Sequence, residues 1–341
     1  MIDLPFAHGG PPLHGQMRAA VDDFEVDEIL GFNADGKGEH AFLRIEKRNA
    51  NTEWVAQQLA RAAGVAPMSV GYSGLKDRHA VTRQTFSVHL PGRADPDWQA
   101  LEIEGVNIIE ASRHSKKIKR GVHKGNRFRI RLSGLEGDRG VADRRMNEIA
   151  RDGVPNYFGE QRFGRNGDNL RSAQALFAGA RMGRSQRGFA LSAARSYLFN
   201  RVLAARVDSA NWNQALAGEV WMLAGTHSIF GPQVLDDGLR ERLASGDIDP
   251  TGPLWGQGEL RSLDQVAAIE TAIAQEESVL AEGLCAHDLR QERRSLRLPV
   301  GEFAHEWLAD GSLLLSFGLP SGTFATSVVR ELCATRGYSQ H

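Results

Sequence analysis

Apolar and polar residues in the first third of the chain fall in the period of two that a half-buried strand requires. Met17 to Leu30 shows the pattern around Phe24, Val26 and Ile29, and His40 to Glu46 repeats it with Phe42, Leu43 and Ile45. Asn51-Thr52-Glu53 then offers a helix cap ahead of Trp54, Val55, Leu59 and Ala63, and Gly64 followed by Pro67 closes that helix. Further strands are predicted at Val70 to Leu75, Thr85 to Leu90, Val106 to Glu110 and Arg127 to Leu132. From Val141 to Leu284 the period lengthens to that of helices, at Val141 to Ala150, Leu170 to Ala180, Phe189 to Val207 and Ser262 to Gly283. Phe230-Gly231-Pro232 and Asp249 to Gly258 read as loops between them. Strand texture returns at Leu296 to Val300 and Leu313 to Phe317, before a last helix from Thr323 to Thr335. The expected fold class is therefore α+β (mixed α/β), with a sheet, a helical middle and the sheet resumed, as an inserted domain would give.

Composition narrows the function less than the distribution of charge does. The 341 residues carry 41 Lys and Arg against 42 Asp and Glu. Nine of those bases lie between Arg113 and Arg131 with no acid among them. The rest of the chain is correspondingly acidic, which suggests one polyanion-binding face on an acidic body. Phe128 and Asn126 are interleaved with these bases, as in nucleic-acid contacts. Hydrophobic residues make up 41%, and no apolar run approaches the ~20 residues of a membrane helix. Met1 to Pro5 has neither a basic start nor an apolar stretch, so no secretory signal is expected. Cys285 and Cys333 match no metal-ligand spacing and are expected to be reduced thiols of a cytoplasmic protein. Gly36-Lys37-Gly38 lacks the strand-loop-helix frame of a nucleotide site, and no zinc or cofactor motif is present.

The chemistry concentrates in Gly71 to Gln84, where Asp77 stands between Lys76 and Arg78 in a segment loosened by Gly71 and Gly74. Adjacent cations favour an ionised carboxylate, the form a nucleophile needs. A turn aspartate in a surface ion pair is the ordinary alternative for such a segment. Gly74-Leu75-Lys76-Asp77-Arg78-His79-Ala80-Val81-Thr82 resembles the catalytic motif of the TruD family of tRNA pseudouridine synthases. Further matching blocks follow in order: Gly36 to His40, Lys124 to Phe128, Gly153 to Gly164, Leu191 to Ser196 and Gly322 to Leu332.

The resemblance implies a pseudouridine-synthase fold, a mostly antiparallel sheet flanked by helices and interrupted by a largely helical family-specific domain. It places the catalytic domain at 1–152 and 300–341 and the insertion at 153–299. It makes Asp77 the nucleophile and Arg18 the cation paired with it, with Lys76 beside them. Phe24, Asn126, Phe128 and Phe324 would line the uracil pocket. Arg18 stands where the family carries Lys, and Ala20 to Phe24 lacks the proline expected before the acidic pair. The implied reaction is isomerisation of uridine 13 in the D-arm of tRNA. Nothing is oxidised or added in it, so no metal or cofactor is expected, and a monomer is expected because nothing in the sequence suggests an obligate partner. In the residues themselves, Arg162, Arg165, Arg171, Arg181, Arg184 and Arg187 read equally as a second RNA-facing wall or as solvated helix faces. Two rivals are a non-catalytic RNA-binding module on the same fold and a cofactor-independent hydrolase with Asp77 as nucleophile, in the manner of some phosphatases and glycosidases. A glycosidase would need another carboxylate ~5–10 Å away, for which Glu39 is the candidate.

Overall fold

A computed structural model describes residues 4–335. They form two compact units, one of residues 13–139, 300–322 and 333–335, the other of residues 4–12, 140–299 and 323–332. In the first unit, among the described residues, one ten-stranded sheet is present. Its strands are β1 (Leu13–Met17), β2 (Phe24–Ile29), β3 (His40–Arg48), β4 (Val70–Tyr72), β5 (Val81–His89), β6 (Val106–His114) and β7 (Gly125–Gly137). β8 (Gly301–Trp307), β9 (Leu313–Pro320) and β10 (Cys333–Thr335) complete it. The main path runs β8-β9-β7-β2-β5-β3-β6; β1 pairs with β7 and β10, and β4 with β5. Only β2 with β5 and β1 with β10 run parallel, so the sheet is mostly antiparallel, as expected.

The expected strand from Met17 to Leu30 is broken where Arg18 takes φ 66° and a short 3-10 turn follows at Val21–Asp23. That break separates β1 from β2 and brings Phe24 into register with Ile130 of β7. Helix α1 (Thr52–Ala62) starts where Asn51 accepts the backbone N–H groups of Glu53 and Trp54 through its side chain. Its Val55, Ala56 and Leu59 pack on Leu43, Ile45, Phe86 and Val88 of the sheet. Each buried Val or Leu contributes roughly 1.5–3 kcal/mol, so the amphipathic stripe rather than propensity holds the helix in place.

The second unit is mainly helical. Helices α2 (Arg139–Asp152), α3 (Asp168–Phe177) and α4 (Arg184–Asp208) are joined by Asp237–Ala244, Asp264–Glu276, Ser278–Ala286 and Ala325–Leu332. The continuous helix expected over Ser262 to Gly283 is two, parted at Glu277, whose carboxylate is claimed by Arg201 and Tyr197. A four-stranded sheet of Trp221–Leu223, Ile229–Phe230, Ile248–Leu254 and Glu292–Ser295 stands among the helices. The reading of Asp249 to Gly258 as loop is thus corrected as far as Leu254. Ile248, Asp249 and Pro250 pair with one neighbour, and Thr251 to Leu254 pair with the other. Two prolines and a glycine give this strand the composition of a turn, and pairing on both sides overrides it.

Candidate active site

The segment from Ser73 to Ala80 has no regular structure of its own, so neighbouring strands and α1 must fix its shape. Gly74 offers its carbonyl to Gln84 Nε2 at 3.2 Å, and Lys76 donates its backbone N–H to Thr52 Oγ1 at 3.1 Å. Thr52 Oγ1 in turn donates to Gln84 Oε1 at 3.0 Å, so α1 and β5 hold the loop through one shared pair of side chains. The Asp77 carbonyl accepts Lys47 Nζ at 2.8 Å, and the same ammonium donates to Ala50 O at 2.7 Å. Lys47 has no solvent exposure. Burial lowers its pKa to about 8, with Lys76 adding to the shift and the charge of Asp77 opposing it.

Above this anchored backbone the Asp77 carboxylate is 40% exposed. Arg18 Nη2 donates to its Oδ2 at 3.0 Å. The guanidinium lies on the face of Phe24, 3.9 Å from the ring centroid, a geometry in which the ring quadrupole attracts the cation. Arg18 sits in the left-handed region at φ 66°, where a non-glycine residue costs on the order of 1–3 kcal/mol. The strain is held by the ion pair and the ring contact, and it aims the side chain at the carboxylate. What results is a carboxylate with one oxygen pinned by a guanidinium and the side chain open to solvent.

Lys76 turns the other way. Its side chain is 6% exposed, and Nζ meets Glu28 Oε2 at 2.9 Å and Asn126 Oδ1 at 2.8 Å. Glu28 is fully buried and also accepts Ser73 Oγ and the backbone N–H of Thr85. Lys76 is therefore a tether among β2, β7 and the loop. Because it occupies Oδ1 of Asn126, the amide nitrogen of Asn126 is the group left for a ligand. Phe24 and Phe128 are 1% and 7% exposed. Their rings meet edge to face at 6.1 Å, and Phe128 stacks on Phe317 at 5.6 Å, forming a wall behind Arg18. Phe324 lies in the other unit, packed against the cluster of Tyr157, Phe158 and Phe199.

Strand alternation divides the basic run. Asn126, Phe128 and Ile130 are buried on one face of β7, while Arg127 and Arg129 are exposed on the other. Arg127 pairs with Glu302 at 2.7 Å, Arg129 with Glu25 at 2.8 Å, and Arg131 with Asp310. Arg113 is similarly taken by Asp95 at 2.8 Å. Lys116, Lys119 and Lys124 have no acidic partner among the described residues, so the unneutralised charge is confined to the loop before β7. Glu39, the alternative second carboxylate, is turned to His89 at 3.3 Å.

The family model for tRNA pseudouridine synthase D (TruD) matches residues 4–180 and 169–332. The chain belongs to the TruD family. A tRNA pseudouridine synthase D of Xanthomonas campestris pv. campestris (strain 8004) is 49% identical over 344 residues, covering 96% of this chain and 94% of that protein. One from Methylococcus capsulatus is 49% identical over 332 residues, covering 97% and 94%. The fold is also that of a crystal structure assigned to TruD from Methanosarcina mazei, with a TM-score of 0.77, 20% identity, and 97% and 98% of the two chains covered.

Within this TruD chain, motif reading singled out Asp77, Lys76 and Arg18 but passed over the residues that hold them. Lys47 shares a face of β3 with Ala41, Leu43 and Ile45, and Glu28 shares a face of β2 with Phe24 and Val26. A charge at an inward position of an apolar face is a usable sequence signal, since buried charges persist only where they are paired. His123 was missed as well. Its Nε2 lies 3.0 Å from Ser321 Oγ, and burial lowers its pKa, with Lys76 adding to the effect and Glu28 opposing it. Among the described residues no group of three His, Cys, Asp or Glu side chains could hold a metal. No helix there is long and apolar enough to cross a membrane.

Proposed function

We propose that this chain isomerises uridine to pseudouridine in tRNA, at position 13 of the D-arm, working as a cytoplasmic monomer. Membership of the TruD family supports the reaction. The observation that carries the site assignment is the accessible Asp77 carboxylate held by Arg18 on a backbone anchored from beneath by Lys47.

The uridine flips from the RNA, at a cost of a few kcal/mol for unstacking. Asp77 forms a covalent bond with the nucleotide and the bond between ribose and base nitrogen breaks. The base turns and rejoins the ribose through carbon; that carbon loses a proton, the freed nitrogen gains one, and Asp77 is released. Atoms and electrons balance without an oxidant or a second substrate. Arg18 orients the nucleophile and accompanies the change in its charge, an electrostatic role. Asn126 presents its amide nitrogen to a uracil carbonyl, with Phe24 and Phe128 behind it. Lys76 keeps Asn126 in place. Lys116, Lys119, Arg120 and Lys124 contact phosphates, which positions the RNA without reading sequence. Catalysis belongs to the domain of residues 1–152 and 300–341, with 153–299 as the family insertion.

Chemical mapping of pseudouridine along an unmodified tRNA transcript tests the assignment. A single product at position 13, lost when that uridine is replaced by cytidine, is the expected result. Product elsewhere in the transcript would overturn the position; no product on any tRNA would overturn the reaction.

A further inference from the structure

The second unit has an open surface hollow of about 640 Å³ lined by Arg162, Arg184, Ser185, Gly188, Phe189 and Ser192. Phe189 is 62% exposed at this pocket, an unusual setting for an aromatic ring. Arg162 is half-buried and its guanidinium donates to Ser192 Oγ at 3.0 Å. Among the described residues it has no carboxylate partner, and burial lowers its pKa. A partly desolvated cation facing a cavity without an anion favours an anionic occupant.

The surroundings are cationic too. From residue 169 to 207 the chain has seven arginines and no acid. Arg171, Arg195, Arg201 and Arg206 are taken by Asp168, Glu292, Glu276 with Glu277, and Glu219. Arg181, Arg184 and Arg187, grouped at the start of α4, form no ion pair among the described residues. Gly183 caps α4 without a side chain, leaving first-turn amides unclaimed by one.

We infer that this pocket is a second RNA subsite, which receives one unstacked nucleotide of the tRNA with its phosphate on Arg162 and Arg184 and its base on Phe189. The inference rests on the tRNA reading above and adds to it a contact outside the Asp77 loop. A phosphate alone would not need the aromatic face, and an apolar ligand would not need two unpaired guanidiniums. A nucleotide uses both, since stacking and phosphate pairing are the two components of single-strand binding.

The test uses the full chain carrying Phe189→Ala, Phe189→Tyr or Arg184→Gln. Equilibrium binding of an unmodified tRNA transcript is measured across a salt series, alongside KM and kcat for pseudouridine formation. Phe189→Ala is expected to weaken binding and raise KM about tenfold with kcat held, the scale of one base–aromatic stack. Phe189→Tyr restores both. Arg184→Gln makes the slope of log affinity against log salt shallower by about one. Affinity, KM and salt slope equal to wild type in Phe189→Ala and Arg184→Gln would overturn the subsite; an acidic protein segment as the occupant would give that result. Because wild-type product is scored in the same series and binding is read with or without it, failure of the subsite and failure of the tRNA reading give different results.

Discussion

Arg18 carries a backbone strain, a ring contact and the hydrogen bond to Asp77 at once. Lysine has the same charge but a compact ammonium that cannot lie flat on Phe24 while donating sideways to the carboxylate. Arg18→Lys is therefore expected to retain product at reduced kcat, whereas Arg18→Gln should lose about 10²-fold or more, the range for removing one oriented electrostatic contact. Equal rates for Arg18→Gln and wild type would show that the pair is ornamental. Lys47 gives a prediction in pH. Its folded pKa of about 8 lies below the value of 10.5 for a solvated lysine, so between those values the unfolded chain binds the extra proton. Stability attributable to Lys47 then rises with pH across that window, by about 1.4 kcal/mol per unit. Urea unfolding of wild type and Lys47→Met at pH 7.5 and pH 10 should show the gap between them widen in favour of wild type; a constant gap would contradict the lowered pKa. Of these residues only Asp77 was legible locally, because its motif is contiguous. Arg18 lies 59 positions from it, and only the family resemblance joined the two. Lys47 and Glu28 went unread, although each is a charge at an inward position of a strand.

At the scale of elements, the Asp77 loop owes its shape to four hydrogen-bonded supports: Lys47 on β3, Thr52 on α1, Gln84 on β5 and the buried pair of Lys76 with Glu28. Breaking a buried pair by removing one charge typically costs about 3–5 kcal/mol, because the survivor is left uncompensated. Glu28→Gln should approach that loss in urea unfolding, and Glu28→Gln with Lys76→Met should recover part of it. A single variant as stable as wild type would mean that the pair does not hold the loop. Most strands and helices that the hydrophobic period announced are present with ends shifted by a few residues, but the strand expected over Met17 to Leu30 is two, and the last helix gives way to strand at Cys333. What the period could not give was the strand Ile248–Leu254, in which pairing overrides a turn-like composition. Nor could it give the break at Glu277, which depends on Arg201 of another helix.

Across the whole molecule, the near-neutral balance of 41 bases and 42 acids conceals two patches of unpaired cations, one before β7 and one at the start of α4. The concentration of bases between 113 and 131 was legible in sequence; which of them are free was not, since strand alternation and partners up to 179 positions away neutralise Arg127, Arg129 and Arg131. Binding should thus respond to salt less steeply than the count of nine bases implies. The packing of residues 4–12 with 323–332, through Glu331 and the backbone of Ala7 and His8, is likewise written in no local pattern. The account as a whole turns on Asp77. Wild type and Asp77→Ala should be given the same unmodified tRNA transcript, with pseudouridine scored chemically and affinity measured separately. Product from wild type, none from the variant, and closely similar affinities are the predicted result. Product from Asp77→Ala at a rate near wild type would contradict it.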